Sequence, residues 1–477
     1  MTLKKKALTG LSWSFFQQFG NQIIAFAVSV VLARILLPEE FGLIGMISIF
    51  IGVGNALMNS GLTQSLIRTD DLDEIDYATV FFYNLGASLL IYVLVFLSAP
   101  FIADFYERPI LTDIVRLYCL SFIIAAFTVV QQARMTKQMD FKSQALIALP
   151  STVVGGTCGI LLANFGYGVW SLVWYELVSS SIRSVQFWIY SKWTPKFVFD
   201  IKKFKFHFLF GYKITLSALL GKISDNSIMI IMGKVFSASQ VGFYTRAETM
   251  KNLPVSNLSM ALNRVTYPLF AEIKHNNLKL RDVYQRLMSL VVFVIAPLMV
   301  FSAVLAEPLF RFLFTAKWLP AVPYFQILCV GGILYPINMY NTNVLNVKGR
   351  SDLFLKVTLV TKGVLILLLF IGLQFGIYGL IIAKVVTTLF AFFLNASYAD
   401  KFIKYSPLAQ LKDLLPIFLL TILTGAGLLY LDNLLKHLPD LFRLVVNGTL
   451  GLLFYLGLSY FFKLASFVEL IKILRKD

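Results

Sequence analysis

Between its first two long apolar runs the chain reads Arg34-Ile-Leu-Leu-Pro-Glu-Glu-Phe-Gly42-Leu43, and 200 residues later it reads Lys234-Val-Phe-Ser-Ala-Ser-Gln-Val-Gly242-Phe243-Tyr244. A basic residue, a short spacer and a glycine recur at equal spacing. A second pair follows in the same order: Phe165-Gly-Tyr-Gly168 and Phe375-Gly-Ile-Tyr-Gly379. Glycine-rich turns recur by chance between apolar runs, but two matched pairs in order favour a true internal repeat. The runs before and after these joints therefore form two copies of one six-span unit. Six is even, so the copies share an orientation, as parallel repeats about an axis along the membrane normal do.

Composition supplies the solvent. Of 477 residues, 58% are hydrophobic and 14% charged, with mean hydropathy +0.76. A soluble domain carries ~25% charge and ~45–50% apolar residues. This chain could not solvate its own surface in water, which excludes a soluble enzyme, a disordered protein and a coiled coil. A span needs ~20 mostly apolar residues, and about fourteen can be placed. They lie near 11–36, 41–66, 79–103, 112–134, 143–164, 168–190, 208–233, 243–268, 283–306, 321–346, 353–375, 377–399, 411–431 and 441–463. The expected fold is an all-α polytopic membrane protein of about 14 transmembrane helices. It has two pseudo-symmetric six-helix lobes, residues 1–190 and 208–400, joined by a basic cytoplasmic linker, 191–207. A two-helix segment, 401–477, completes it.

Charge sets the orientation. Lys and Arg number 42 against 25 Asp and Glu, a formal net charge of +17. In a membrane protein that excess collects in cytoplasmic loops. With the N-terminus inside, Lys4–Lys6, Arg134, Lys137, Lys192, Lys196, Lys202, Lys203, Lys274, Lys279 and Arg350 all fall on inner loops. The basic C-terminal end, through Arg475 and Lys476, places both termini in the cytoplasm. Every loop is short, so no soluble catalytic domain is carried.

Catalytic chemistry finds little support. Cys119, Cys158 and Cys329 are isolated in apolar runs, and His207, His275 and His437 are scattered. No paired spacing suggests a metal site or disulfide framework. Asp71-Leu-Asp73 is formally a D-x-D site, but a lone match in a short acidic loop is weak. A membrane glycosyltransferase or polymerase is kept as an alternative; the expectation is no enzyme, no metal and no cofactor.

Polar residues inside spans are costly and face a bundle interior or a water-filled cavity. The first span carries Gln17, Gln18, Asn21 and Gln22; the seventh carries Ser217, Lys222, Ser224 and Asp225. At offset 200, Gln17 aligns with Ser217 and Gln22 with Lys222, as expected for walls of a shared cavity. Interhelical hydrogen bonding explains such residues equally well. Glu176 looks deep, and Lys362 and Lys384 lie deep without an obvious local acid, suggesting an anionic ligand or a distant acid from another span. Lys222 and Asp225 are close enough in sequence to pair. Arg183, Arg246 and Arg264 sit near span ends, where snorkelling accounts for them. The candidate cavity set is Gln17, Gln18, Asn21, Gln22, Ser217, Lys222, Arg246, Lys362 and Lys384, with Glu176 and Asp225 as candidates for proton or sodium coupling.

The joint Arg34-(x3)-Pro38-Glu-Glu-Phe-Gly42 resembles the signature of bacterial polysaccharide exporters. Asp73-Glu-x-Asp76-Tyr-Ala-Thr-Val-Phe81, Ala99-Pro-Phe-Ile-Ala-Asp-Phe-Tyr106, Met139-Asp-Phe-Lys142, Gly168-Val-Trp-Ser-Leu172 and Gly242-Phe-Tyr-(x2)-Ala247 follow in the same order. So do Leu253-Pro254, Val265-Thr-Tyr-Pro268 and Lys317-Trp318. The chain is thereby similar to Wzx-type lipopolysaccharide and colanic-acid flippases of the multidrug/oligosaccharidyl-lipid/polysaccharide exporter superfamily. The resemblance implies a plasma-membrane (inner-membrane) transporter. It would move an undecaprenyl-pyrophosphate-linked oligosaccharide from the cytoplasmic to the periplasmic leaflet by alternating access, alongside a polysaccharide polymerase and chain-length regulator. It specifies no individual cavity residue. A multidrug or cation antiporter of the same superfamily is the alternative, and the deep lysines weigh against it.

Overall fold

The computed structural model describes residues 3–58 and 61–474, so Arg475 and Lys476 lie outside it. Among the described residues there is no strand. The helices are α1 (Leu3–Ile35), α2 (Pro38–Met58), α3 (Leu62–Arg68), α4 (Glu74–Tyr106), α5 (Ile110–Tyr118), α6 (Leu120–Ala126), α7 (Val129–Lys137), α8 (Phe141–Asn164), α9 (Trp170–Ser191) and α10 (Ile201–Asp225). They continue as α11 (Ser227–Val235), α12 (Ala238–Glu272), α13 (Asn277–Val304), α14 (Ala306–Phe314), α15 (Val322–Val347), α16 (Ser351–Leu373), α17 (Gly376–Ile403), α18 (Pro407–Leu434), α19 (Asp440–Phe461) and α20 (Ala465–Leu474). A short 3-10 turn, Ala316–Ala321, precedes α15.

Among the described residues eleven helices are long and apolar enough to cross a membrane, or twelve when Leu111–Ala126 and Val129–Lys137, bent by 41°, count as one span. The two expected spans outside this number are α9 and α12. Both are long enough, at 22 and 35 residues. Polar and charged residues, including Glu176 and Arg183 on α9 and Arg246, Glu248, Lys251 and Arg264 on α12, lower their apolarity.

Helix ends follow local chemistry. Asp73 caps α4 through the Ile75 and Asp76 N–H groups, and Asp76 returns a bond to the Asp73 N–H, a capping box. Asp140, Asp200, Asn276 and Ser406 cap α8, α10, α13 and α18. Element ends also recur at the repeat offset: α1 ends at Ile35 and α11 at Val235, while α2 begins at Pro38 and α12 at Ala238. Gly166 and Gly376 both take positive φ, +82° and +70°, in the paired Phe-Gly turns.

The chain divides into two compact units, Met1–Gly242 and Phe243–Asp477. In the first, α1, α8 and α9 pack through small residues. A Cβ on Gly156 would lie 2.4 Å from Val28, and one on Gly155 1.9 Å from Ser179. The repeated joints meet there: a Cβ on Gly42 would lie 1.7 Å from the Ala238 carbonyl oxygen, and one on Gly242 1.9 Å from that of Pro38. Glycine at the matched position thus lets two helix starts cross backbone to backbone. Helix α10 packs on α2, α3 and α4 within this unit. In the second unit α13, α15 and α17 form the centre, with α16, α18 and α19 around it. Arg443 of α19 forks onto Asp432 of α18 at 3.1 and 2.7 Å, and Asp440 links to Arg311 of α14 at 3.4 Å. A bidentate arginine–carboxylate pair fixes helix register as well as charge.

Candidate functional site

The first unit encloses a cavity of about 610 Å³ between α2, α6, α7, α9 and α10. Its polar lining includes Asn55, Thr128, Gln132, Glu176, Ser180, Arg183 and Lys222. The 3.6-residue period delivers Glu176, Ser180 and Arg183 to one face of α9. Glu176 accepts from Ser180 at 3.2 Å. Arg183 Nε is buried and has no hydrogen-bond partner among the described residues. That is an unfavourable state for a guanidinium unless water or ligand completes its shell.

Lys222 reaches this cavity because α10 breaks just beyond it. Asn226 interrupts the helix with φ −96° and ψ 3°, and its Nδ2 donates to the Lys222 carbonyl at 2.9 Å. Ser48 of α2 donates to Asn226 Oδ1 at 3.4 Å. A Cβ on Gly52 would lie 3.8 Å from Lys222 Cδ, so α2 offers that lysine stem a groove rather than a wall. Interrupted spans are tolerated at membrane depth where they line a cavity.

The other sequence candidates are distributed differently. Asn21 accepts from Thr152 of α8, an α1–α8 link of the hydrogen-bonding kind. Gln17, Gln18 and Gln22 are half-buried on α1, and Ser217 and Asp225 are exposed on α10. In the second unit Lys362 is half-buried on α16.

Lys384 meets the second of its two expectations, an acid from another helix. Expected to lack a local acid, it pairs with Glu248 of α12 and donates to Tyr244 Oη at 2.7 Å. The acid lies 136 residues away in sequence, beyond any local reading. Lys251, missed in the sequence, lies in electrostatic range of the same pair. Arg246 is buried with its guanidinium 4.9 Å from the ring centres of both Phe314 and Trp318. That is a cation–π sandwich rather than a snorkelling side chain. Arg183, also read as snorkelling, lines the cavity. The one sequence signal for it was its i+7 spacing from Glu176.

A second cluster joins α3, α4 and α10. Ser65 Oγ lies 2.8 Å from His207 Nδ1, and Asp76 Oδ1 3.2 Å from His207 Nε2. Lys203 reaches Asp73 at 2.6 Å and Asp76 at 2.8 Å. The hydrogen bond from Lys203 holds the Asp73 carboxyl well below the usual carboxylate range. Serine, histidine and aspartate here are 3%, 0% and 7% exposed. No substrate bond can reach that hydroxyl, so the trio acts as a latch between helices. No group of three or more His, Cys, Asp or Glu able to hold a metal ion occurs among the described residues.

Residues 31–323 match the family described as "Polysaccharide biosynthesis protein". The chain is 28% identical to teichuronic acid biosynthesis protein TuaB of Bacillus subtilis, over 74% of this chain and 73% of that one. It is 24% identical to lipopolysaccharide biosynthesis protein WzxC of Escherichia coli, over 82% and 81%. Among solved structures, lipid II flippase MurJ in an inward closed conformation superposes with TM-score 0.76 at 15% identity, over 94% of this chain and 98% of that one. An inward-facing multidrug-resistance MATE transporter of the MOP superfamily gives 0.60 at 16% identity, over 84% and 99%. With a helical fold shared with MurJ and the MATE transporters, this multi-pass membrane protein belongs to the polysaccharide biosynthesis protein family.

Proposed function

We propose that the protein is a flippase of the plasma membrane, the inner membrane where there are two. It moves an undecaprenyl-pyrophosphate-linked oligosaccharide from the cytoplasmic to the periplasmic leaflet by alternating access, for surface polysaccharide assembly. In this reading α9 and α12 also cross the membrane, giving fourteen spans with both termini cytoplasmic. The observation that carries it is the cavity of the first unit, whose wall combines Arg183 and Lys222 with Asn55, Gln132, Thr128 and Ser180.

The polyprenyl tail stays in lipid throughout. The sugar head cannot, because each unpaired hydroxyl costs several kcal/mol in hydrocarbon. Amides and hydroxyls replace its water, and two cations against one acid favour a phosphorylated head over a cationic drug. With the interior negative, outward movement of an anion gains ~2.3 kcal/mol per charge per 100 mV. Return of the empty, cationic cavity moves positive charge inward, in the same favourable sense. Glu176 and Asp225 are the candidates for any proton or sodium coupling. Polymerase and chain-length regulator are the partners this role implies.

The test is a chromosomal deletion complemented with wild type or with Arg183→Ala/Lys222→Ala. The deletion should remove surface polymer and accumulate lipid-linked oligosaccharide in the inner leaflet, and the double variant should do the same at normal protein level. Polymer restored in full by the double variant would overturn the assignment of this cavity.

A further inference from the structure

We infer that the second unit binds one anionic phospholipid, with its headgroup in a basic pocket between α13, α18 and α20 and an acyl chain along α13. The pocket has a volume of about 570 Å³ and is lined by Arg286, Ser289, Lys412, Ser466 and Lys472, with Asp413 and Glu469. Asp413 is already engaged, accepting from Tyr405 Oη at 2.6 Å and Gln285 Nε2 at 3.2 Å. Glu469 stands 4.0 Å from Arg286. Among the described residues no ion pair occupies Lys412 or Lys472, so positive charge is left over at the pocket.

A second, apolar cavity of about 430 Å³ continues along the same helices, lined by Phe293, Pro297 and Phe301 of α13, Gly448 and Leu452 of α19 and Leu470 of α20. On α13, Arg286, Ser289, Phe293, Pro297 and Phe301 recur at three- and four-residue steps on one face. Helix α20 serves both parts, with Ser466 and Lys472 toward the head pocket and Leu470 toward the apolar one. From Arg286 to Phe301 the strip runs ~22 Å at 1.5 Å per residue. That matches about half the ~40–45 Å of a bilayer with its headgroups. A cationic end followed by one leaflet's depth of apolar wall is complementary to a phospholipid with a net negative head. A free phosphate would use only the first part.

The full-length protein in mild detergent tests this with dioleoyl phosphatidylglycerol, dioleoyl phosphatidylcholine, inorganic phosphate and undecaprenyl phosphate, reading retained lipid by native mass spectrometry and the thermal unfolding midpoint. Phosphatidylglycerol should be retained and raise the midpoint, while phosphatidylcholine and phosphate do neither. Lys412→Ala/Lys472→Ala should weaken retention at least tenfold. Gly448→Phe, at a position where an added Cβ meets nothing within 4 Å, should also weaken it while leaving the lipid-free midpoint unchanged. Equal retention of the two phospholipids overturns the inference, as does unaltered retention in either variant. A phosphate effect equal to that of phosphatidylglycerol reduces the pocket to an anion site. Displacement by undecaprenyl phosphate at lower concentration reassigns the strip to the polyprenyl carrier.

Discussion

The two units treat the charge on their helices in opposite ways. In the first, Arg183 and Lys222 line an open cavity opposite one acid, Glu176, and Arg183 Nε has no hydrogen-bond partner among the described residues. In the second, Glu248 is paired with Lys384 and bridged to Tyr244, and Arg246 is stacked between two rings. Paired charges in low dielectric stabilise helix contacts, and breaking the pair is what costs. Charges facing a cavity contribute little to packing and remain available to a ligand. A deep lysine is therefore a functional signal only once its acid has been sought across the whole fold.

The largest expected effect tests the closed side. Lys384→Met should destabilise the purified protein by about 2 kcal/mol, below the ~3–5 kcal/mol of a fully buried pair. Both side chains keep roughly a quarter of their exposure (26% and 22%). Lys384→Met/Glu248→Leu should recover much of that loss, and Lys222→Ala should change stability by less than ~0.5 kcal/mol. Equal destabilisation by Lys222→Ala and Lys384→Met would erase the distinction. Next comes the open side: surface polymer should fall at least tenfold in Arg183→Ala/Lys222→Ala, equivalent to ~1.4 kcal/mol. In Lys384→Met, polymer should fall only in step with protein level, measured by immunoblot.

The latch in the first unit sharpens the contrast, since its charges are paired like those of the second. His207→Ala should cost ~1–3 kcal/mol by leaving Ser65 and Asp76 without their buried partner, read by thermal unfolding. The smallest effect is a pH dependence. Because Lys203 depresses the Asp73 carboxyl, its stabilisation is complete above the unfolded value of ~4 and disappears as pH falls through the lower folded value. Asp73→Asn should flatten the acid limb of a midpoint-against-pH curve and leave the neutral region nearly unchanged. An unaltered acid limb would show that the ion pair contributes nothing.

The joints illustrate how much was legible. Gly42 and Gly242 could be matched from spacing, and helix starts at Pro38 and Ala238 occur at that spacing. That the two glycines bring these helix starts into reciprocal backbone contact needed coordinates. The α1 amides show the reverse: a polar stripe at helical period was plain, but whether it faced a cavity or a neighbour was not, and Asn21 is bonded to Thr152. Arg183 and Arg246 both read as span-end cations, with Arg246 alone also a cavity candidate, yet Arg183 lines the cavity and Arg246 is enclosed by aromatic rings. Position along a span says nothing about which neighbour fills the space beside it.

The sequence by itself determined membrane residence, the helical class, most span limits and the family. These rest on apolar run length, local capping chemistry and an ordered set of short motifs, all of which act within a few tens of residues. Only the tertiary structure decided which charges are neutralised. It brought Glu248 to Lys384, Asp76 to His207, and Glu176, Arg183 and Lys222 to one cavity. Coulomb and hydrogen-bond energies depend on distance in space, and Glu248 and Lys384 lie 136 residues apart in sequence.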